Sequence, residues 1–227
     1  MTNVYIRILR SASLSLKSAV KSDSLVFAAY PNERQSFLEI ENPYTFTFIR
    51  NPYDRIVSIY SMIALDNAMR ENKMKTVPNI TNNTSFEEFL IFVKQIRSEY
   101  KNFTLANNIN QPLSHSFIHN DPAAIIKDES VVLTPGVYWI LLHTETMVDT
   151  LEYFLPIDNI NFIGRFENLT SDFEKLKNKL QLKTNIKHHH KTTFRKKYTE
   201  YYNTNTYDLV TELYADDIKK FNYSYDC

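Results

Sequence analysis

Glycine is almost missing from this chain, with two in 227 residues. Turns that need a left-handed backbone must therefore be filled by Asn, Ser or Asp. A glycine-built nucleoside triphosphate loop, G-x-x-x-x-G-K-[ST], is not present. Cysteine is scarcer still: the single one, Cys227, is the last residue, which excludes an internal disulfide and a Cys-based metal site. Net charge is also lacking. The 26 basic and 26 acidic side chains cancel, so no overall field steers the protein towards nucleic acid or an acidic membrane. The longest apolar run, Val137 to Leu142, falls far short of the ~20 residues of a membrane span. No signal peptide is evident, and strand-like sequence begins by residue 3.

What is present describes an ordinary globular core with an unusual aromatic load. Hydrophobic content of 43% and charged content of 23% suit a folded domain, and 15 Tyr with 15 Phe supply much of its interior. The length fits a single domain, residues 1–227, and is too short for two comfortable ones. The charge is unevenly placed. Arg7, Arg10, Lys17 and Lys21 all precede the first acid, Asp23. A second basic stretch, Lys187 to Lys197, holds Lys187, Lys191, Arg195, Lys196, Lys197 and three histidines without a carboxylate. Each cluster is either a solvated face or the seat of an anionic ligand.

Periodicity gives alternating strands and helices. Asn3 to Leu9 puts Val4, Ile6 and Ile8 on one face of a first strand, and a helix follows to about Lys21. Leu25 to Ala29 and Thr45 to Ile49 read as further strands. Ile56, Val57, Tyr60, Ile63 and Ala64 recur at helical spacing after Asn51, an N-cap, and Pro52, which suits a first helical position. Ser85 and Glu88 form a capping box for a helix buried through Phe86, Phe89, Leu90 and Val93. Val137 to Leu142 reads as a buried strand, Met147 to Leu155 as a helix, and Ile160 to Ile163 as the last sheet strand, entering a Gly164-Arg165 turn. Leu169, Phe173, Leu176 and Leu180 mark the next helix, and Thr204 to Phe221 is amphipathic. This alternation predicts a parallel sheet covered on both faces.

Arg50 thus lies at the carboxyl end of a strand, beside an opening helix amino terminus. Ligands of open α/β sheets bind at that edge, and the free N–H groups there favour an anion. Ser58, two turns on, meets the same anion if the helix faces that way. Otherwise Arg50 is a surface ion-pair partner and Ser58 a small packing residue.

Four segments then point to one family. Arg10-Ser11-Ala12-Ser13-Leu14-Ser15-Leu16 follows the opening strand; Arg50, Asn51, Pro52, Arg55, Ser58 and Tyr60 spell Arg-Asn-Pro-x-x-Arg-x-x-Ser-x-Tyr; Phe162 to Leu169 reads FIGRFENL; and Tyr214 to Tyr223 closes the chain. Together they resemble the sulfotransferases that use 3'-phosphoadenosine 5'-phosphosulfate (PAPS), in particular the carbohydrate group related to chondroitin 4-O-sulfotransferases. The first segment is degraded: Arg10 stands where the family has lysine, and Leu14 where it has a hydroxyl.

The resemblance implies a P-loop-like three-layer α/β fold and transfer of a sulfuryl group from PAPS to a carbohydrate hydroxyl, leaving 3'-phosphoadenosine 5'-phosphate. It implies no metal. By position, Arg10 serves the 5'-phosphosulfate side with Ser11, Ala12, Ser13, Leu14 and Ser15, Arg50 and Ser58 hold the 3'-phosphate, and Arg165 belongs to the cofactor site. His115, after the proline-containing Asn110 to Ser114, is the first candidate for the base, with a surface loop histidine as the plain alternative. Glu167 is a second candidate, or a structural acid beside Arg165. His188, His189 and His190 sit too close in sequence to converge on one zinc ion, and fit a polar lid with Lys191 and Arg195 near the acceptor.

Two rival readings stay open. One is a relative that binds PAPS, its product or a sulfated glycan without turnover. The other is a kinase-like phosphate corner. Family relatives of the carbohydrate group are usually Golgi proteins with an amino-terminal anchor. The first strand beginning directly after Met1 gives the expectation of a cytoplasmic protein, or of the Golgi lumen if an anchor has been removed.

Overall fold

Alternation in two strands decides the layering. In β1, Asn3–Ile6, Val4 and Ile6 point to one face and Tyr5 to the other; in β3, Tyr44–Ile49, Phe46 and Phe48 share the Tyr5 side and Ile49 lies opposite. A computed structural model describes residues 2–20, 26–28, 33–65, 80–101, 126–128, 131–186 and 195–226. In it four strands form one parallel sheet in the order β2-β1-β3-β6, with β2 at Val26–Ala28 and β6 at Phe162–Arg165. The Tyr5 face packs on α1, Ser13–Val20, through Leu16 and Ala19, and on α7, Leu169–Leu180, through Phe173 and Leu176. The larger core on the opposite face gathers α2, Arg34–Leu38, and α3, Pro52–Tyr60, with α4, Phe86–Glu99, α5, Pro135–Thr144, and α6, Met147–Phe154. Two closing helices, α8 at Thr204–Leu213 and α9 at Ala215–Phe221, complete it. A small antiparallel pair, β4 at Ile126–Asp128 and β5 at Val131–Leu133, stands apart. The three-layer α/β fold expected from the sequence is therefore present.

The order of strands positions the site. From β1 the chain crosses to β2 on one side, then returns to β3 on the other. The connections leaving the carboxyl ends of β1 and β3 therefore diverge, which sets the two βα corners side by side at a switch in winding direction, the place where open α/β sheets bind ligands.

Four sequence expectations need correction. Val137 to Leu142 is not a strand but the middle of α5. Thr134 accepts a hydrogen bond from the Val137 amide at 3.3 Å and Pro135 occupies the first turn. The run is apolar throughout because the helix is buried on every side. β1 ends at Ile6 rather than Leu9, since the chain must leave the sheet early to reach α1. The last strand is Phe162–Arg165, so Gly164 and Arg165 are paired to Phe48 and Ile49 instead of forming a turn. The closing amphipathic stretch is two helices, broken at Tyr214.

Gly164 is required by proximity. A Cβ there would lie 2.4 Å from the ring of Phe48, which is fully buried and packed against Phe162. We expect Gly164→Ala to lower stability by about 1–3 kcal/mol through overpacking, read as a lower urea midpoint. An unchanged midpoint contradicts this close contact.

Candidate anion-binding site

The turn from β1 into α1 is built without glycine yet uses left-handed backbone twice, at Arg10 (φ 69°) and Ala12 (φ 58°). Non-glycine residues hold that conformation only when their surroundings enforce it, and such alternation aims successive N–H groups into an anion-binding hollow. Ala12 accepts the first helical hydrogen bond, from the Leu16 amide at 3.0 Å. The amides of Ser13, Leu14 and Ser15 thus form the first turn, where no intrahelical acceptor exists. Leu14 contributes backbone alone, its side chain being 45% exposed. Ser11 is fully buried, and its hydroxyl finds no hydrogen-bond partner among the described residues.

The second turn, from β3 into α3, is built as the sequence indicates. The Asn51 side chain accepts from the Tyr53 amide at 3.0 Å and Pro52 takes the first turn. Arg50 is only 5% exposed. Its Nη1 donates to the Arg10 carbonyl at 2.9 Å, its Nε donates to Asp54 at 2.8 Å, and its guanidinium lies 4.0 Å from the centroid of the Phe166 ring. Burial pulls its pKa down to about 10, against the opposing charge of Glu167, so it remains a cation at neutral pH. Arg10 reaches from the first corner to α3: Nη2 and Nε donate to the Ser58 hydroxyl at 2.8 and 3.2 Å, and Nη1 to the Met62 sulfur at 3.2 Å. Met62 lies in the π-helical turn, Ser61–Leu65, that extends α3. The structure therefore brings Arg10, Arg50 and Ser58 together.

Other residues of the Arg-Asn-Pro run are fasteners. Arg55 is 1% exposed and donates to three backbone carbonyls, Leu9 at 3.1 Å, His143 at 3.1 Å and Glu145 at 2.8 Å. It ties the turn after β1 to α3 and to the junction of α5 and α6. The Tyr60 hydroxyl donates to the Thr84 carbonyl at 2.8 Å, anchoring the start of α4. Glu167 behaves as a structural acid: it accepts from the Asn51 amide at 2.6 Å and from the Tyr223 hydroxyl at 3.1 Å. Arg165 donates to the Phe221 carbonyl at 2.6 Å and lies 4.5 Å from the Tyr223 ring centroid. It makes no hydrogen bond to Arg10, Arg50 or Ser58 among the described residues. Its place is to hold the carboxyl-terminal segment that orients Glu167.

His115 lies outside the described residues, as do His188, His189, His190 and Lys191. Arg195 is described, and it stands against Asp54, which also pairs with Arg50. Asp54 and Arg195 were the members of the cluster that sequence reading did not connect. The only signal was spacing, since Asp54 falls one helical turn after Arg50. A shallow groove of about 410 Å³ begins at Phe166 and runs past Glu167 and Glu174. Its two carboxylates disfavour an anion, which belongs on the arginine side. Among the described residues no cluster of metal-ligating side chains occurs and no helix is long and apolar enough to cross a membrane.

Two strand ends, two helix amino termini, Arg50 on the Arg10 carbonyl and the Arg10 guanidinium on Ser58 make a candidate P-loop-like anion site. Comparison with protein families matches residues 16–123 to the model described as "Sulfotransferase family", a span that contains the whole Arg50 to Tyr60 run. Over those residues, a little under half of the chain, the protein is similar to that family. No match to a curated protein or to a solved structure was found.

Two tests follow from the fasteners. Arg55→Lys cannot serve three carbonyls from one fork, and should lower unfolding stability by about 3 kcal/mol; an unchanged melting curve contradicts the brace. Asp217 accepts from the Met147 and Val148 amides at 2.9 and 2.8 Å, and burial raises its carboxyl from 3.8 to about 6. A folded-state pKa above the unfolded one means that stability linked to this group is present at low pH and falls as pH rises from about 4 to about 6. Relative to Asp217→Asn, the wild-type protein should lose on the order of 3 kcal/mol across that window. A pH-independent difference between the two unfolding curves contradicts the buried charge.

Proposed function

We propose that the protein transfers a sulfuryl group from PAPS to a carbohydrate hydroxyl. The observation that carries this reading is that Arg50 donates to the Arg10 carbonyl and Arg10 to the Ser58 hydroxyl where the carboxyl ends of β1 and β3 lie side by side. The residues fit such a donor: the buried Ser11 hydroxyl lacks a partner among the described residues, and the left-handed turn at Arg10 and Ala12 presents amides in series. Bound there, PAPS supplies the activated sulfuryl group. Arg50 and Ser58 are assigned to the 3'-phosphate; Ser11, Ser13, Ser15 and the first-turn amides of α1, Leu14 included, to the 5' side. Arg10 lies between them and balances charge on the departing phosphate oxygen. Its fork holds two oxygens where a lysine would hold one.

The acceptor hydroxyl must lose a proton as its oxygen bonds to sulfur, and His115 is the residue assigned to take it. The carbohydrate class of the acceptor rests on the resemblance to the chondroitin 4-O group. Arg165 enters as a positioning residue, through Tyr223 and Glu167 to the Asn51 amide.

Calorimetric titration with adenosine 3',5'-bisphosphate against ATP–Mg²⁺ tests the donor. The bisphosphate should bind in preference, with Arg50→Ala weakening it on the order of 100-fold and Ser58→Ala about tenfold. Preference for ATP–Mg²⁺ overturns the assignment in favour of phosphoryl chemistry. Sulfate transfer from PAPS across a glycan panel tests turnover, with Arg10→Ala and His115→Ala expected to lose it. Tight bisphosphate binding with no transfer to any glycan would leave a nucleotide-binding relative.

A further inference from the structure

Among the described residues, Asp54 is the carboxylate on which two of the cluster's arginines meet. Arg50 Nη2 lies 2.6 Å from Asp54 Oδ2, and Arg195 Nη2 contacts Asp54 Oδ1 while also donating to the Asp54 carbonyl at 3.2 Å. The carboxylate stands in the first turn of α3, the position where a helix amino terminus stabilises negative charge. It thus occupies, with two guanidiniums around it, the kind of place an oxyanion ligand takes.

Arg195 is not satisfied by this arrangement. Its side chain is 16% exposed, and its Nε is buried and makes no hydrogen bond among the described residues. An N–H left buried without an acceptor is costly, and a guanidinium needs acceptors along its whole fork. Burial and the neighbouring charges of Arg50 and Arg10 draw the pKa of Arg195 down to about 10, the direction expected where cations crowd together. Arg195 thus has an orphaned donor beside Arg50, whose own second contact is the Arg10 carbonyl.

We propose that Arg195 is a further phosphate-binding residue of the donor site, and that Asp54 is an internal counter-ion which holds Arg50 and Arg195 in place and competes with the donor for them. This deepens the reading of the site as a PAPS pocket and rests on it. Donor entry exchanges the Asp54 contacts for phosphate oxygens, and the Arg195 Nε–H gains the acceptor it lacks. No bond is made or broken in this exchange. The two residues therefore affect affinity with opposite sign, which a merely structural ion pair does not do.

The experiment measures binding of adenosine 3',5'-bisphosphate, and separately of inorganic pyrophosphate, to the wild-type protein, Asp54→Asn, Arg195→Ala, Arg195→Lys and the double variant Asp54→Asn/Arg195→Ala, each checked for folding by thermal unfolding without ligand. Asp54→Asn should bind both probes about tenfold more tightly, Arg195→Ala about tenfold more weakly, and Arg195→Lys in between. Arg195→Ala should cost affinity in the Asp54→Asn background as well. Shifts of the same sign, or lower melting temperatures with unchanged affinities, overturn the proposal. If the bisphosphate fails to bind while pyrophosphate shows the opposed shifts, the PAPS reading falls and the counter-ion pair stands. If the bisphosphate binds and neither probe responds to these substitutions, the reverse holds.

Discussion

One buried guanidinium sets the geometry on which the site depends. Arg55 spans three chain segments by donating to the carbonyls of Leu9, His143 and Glu145, and Leu9 immediately precedes Arg10. The turn after β1 and a helix residue 46 positions on in sequence are thereby held at hydrogen-bond distance. With Leu9 fixed, the next carbonyl, that of Arg10, comes within 2.9 Å of Arg50. Two βα corners are held side by side because a cation between them is satisfied by backbone carbonyls. The cost is burial of a charge, offset by carbonyl dipoles and by the acids Asp217 and Glu145 nearby.

A second chain of contacts supports the opposite wall. Arg165 holds the carboxyl-terminal segment, Tyr223 orients Glu167, and Glu167 accepts from the Asn51 amide at the β3–α3 corner. Asn51 Nδ2 in turn donates to the Ser224 carbonyl at 2.8 Å. Asp217 caps α6, whose Met147 sulfur receives the Arg50 amide at 3.4 Å. The FIGRFENL stretch and the closing helices, far apart from Arg50 in sequence, thus act on one corner. The sulfotransferase family match ends at residue 123, yet these later segments complete the site it begins.

Much of this was legible in the letters. Asn51 and Pro52 announce a helix start by cap chemistry, which is local, and Ser85 with Glu88 does so again; both caps are present. The parallel sheet followed from alternation of period 2 with period 3.6. Where reading failed, the deciding cause was tertiary. Val137 to Leu142 carries no face, so periodicity is silent, and the Thr134-Pro135 start signal was the evidence that should have prevailed. Arg165 and Arg55 are arginines like Arg10 and Arg50 in sequence, and only the structure shows that all the side-chain hydrogen bonds described for the first two go to backbone carbonyls while Arg10 reaches the Ser58 hydroxyl and Arg50 the Asp54 carboxylate. The contact of Arg195 with Asp54 was hidden for the same reason, since nothing in a basic run tells which carboxylate it will meet.

The claim at the centre is that Arg10, Arg50 and Ser58 form the seat of a doubly phosphorylated adenosine. A crystal structure grown with adenosine 3',5'-bisphosphate addresses it directly. The account predicts the 3'-phosphate in hydrogen-bond contact with Arg50 and Ser58, with the 5'-phosphate over the amides of residues 12–15. Nucleotide bound elsewhere, with Arg10 still on Ser58 and Arg50 still on Asp54, would contradict it.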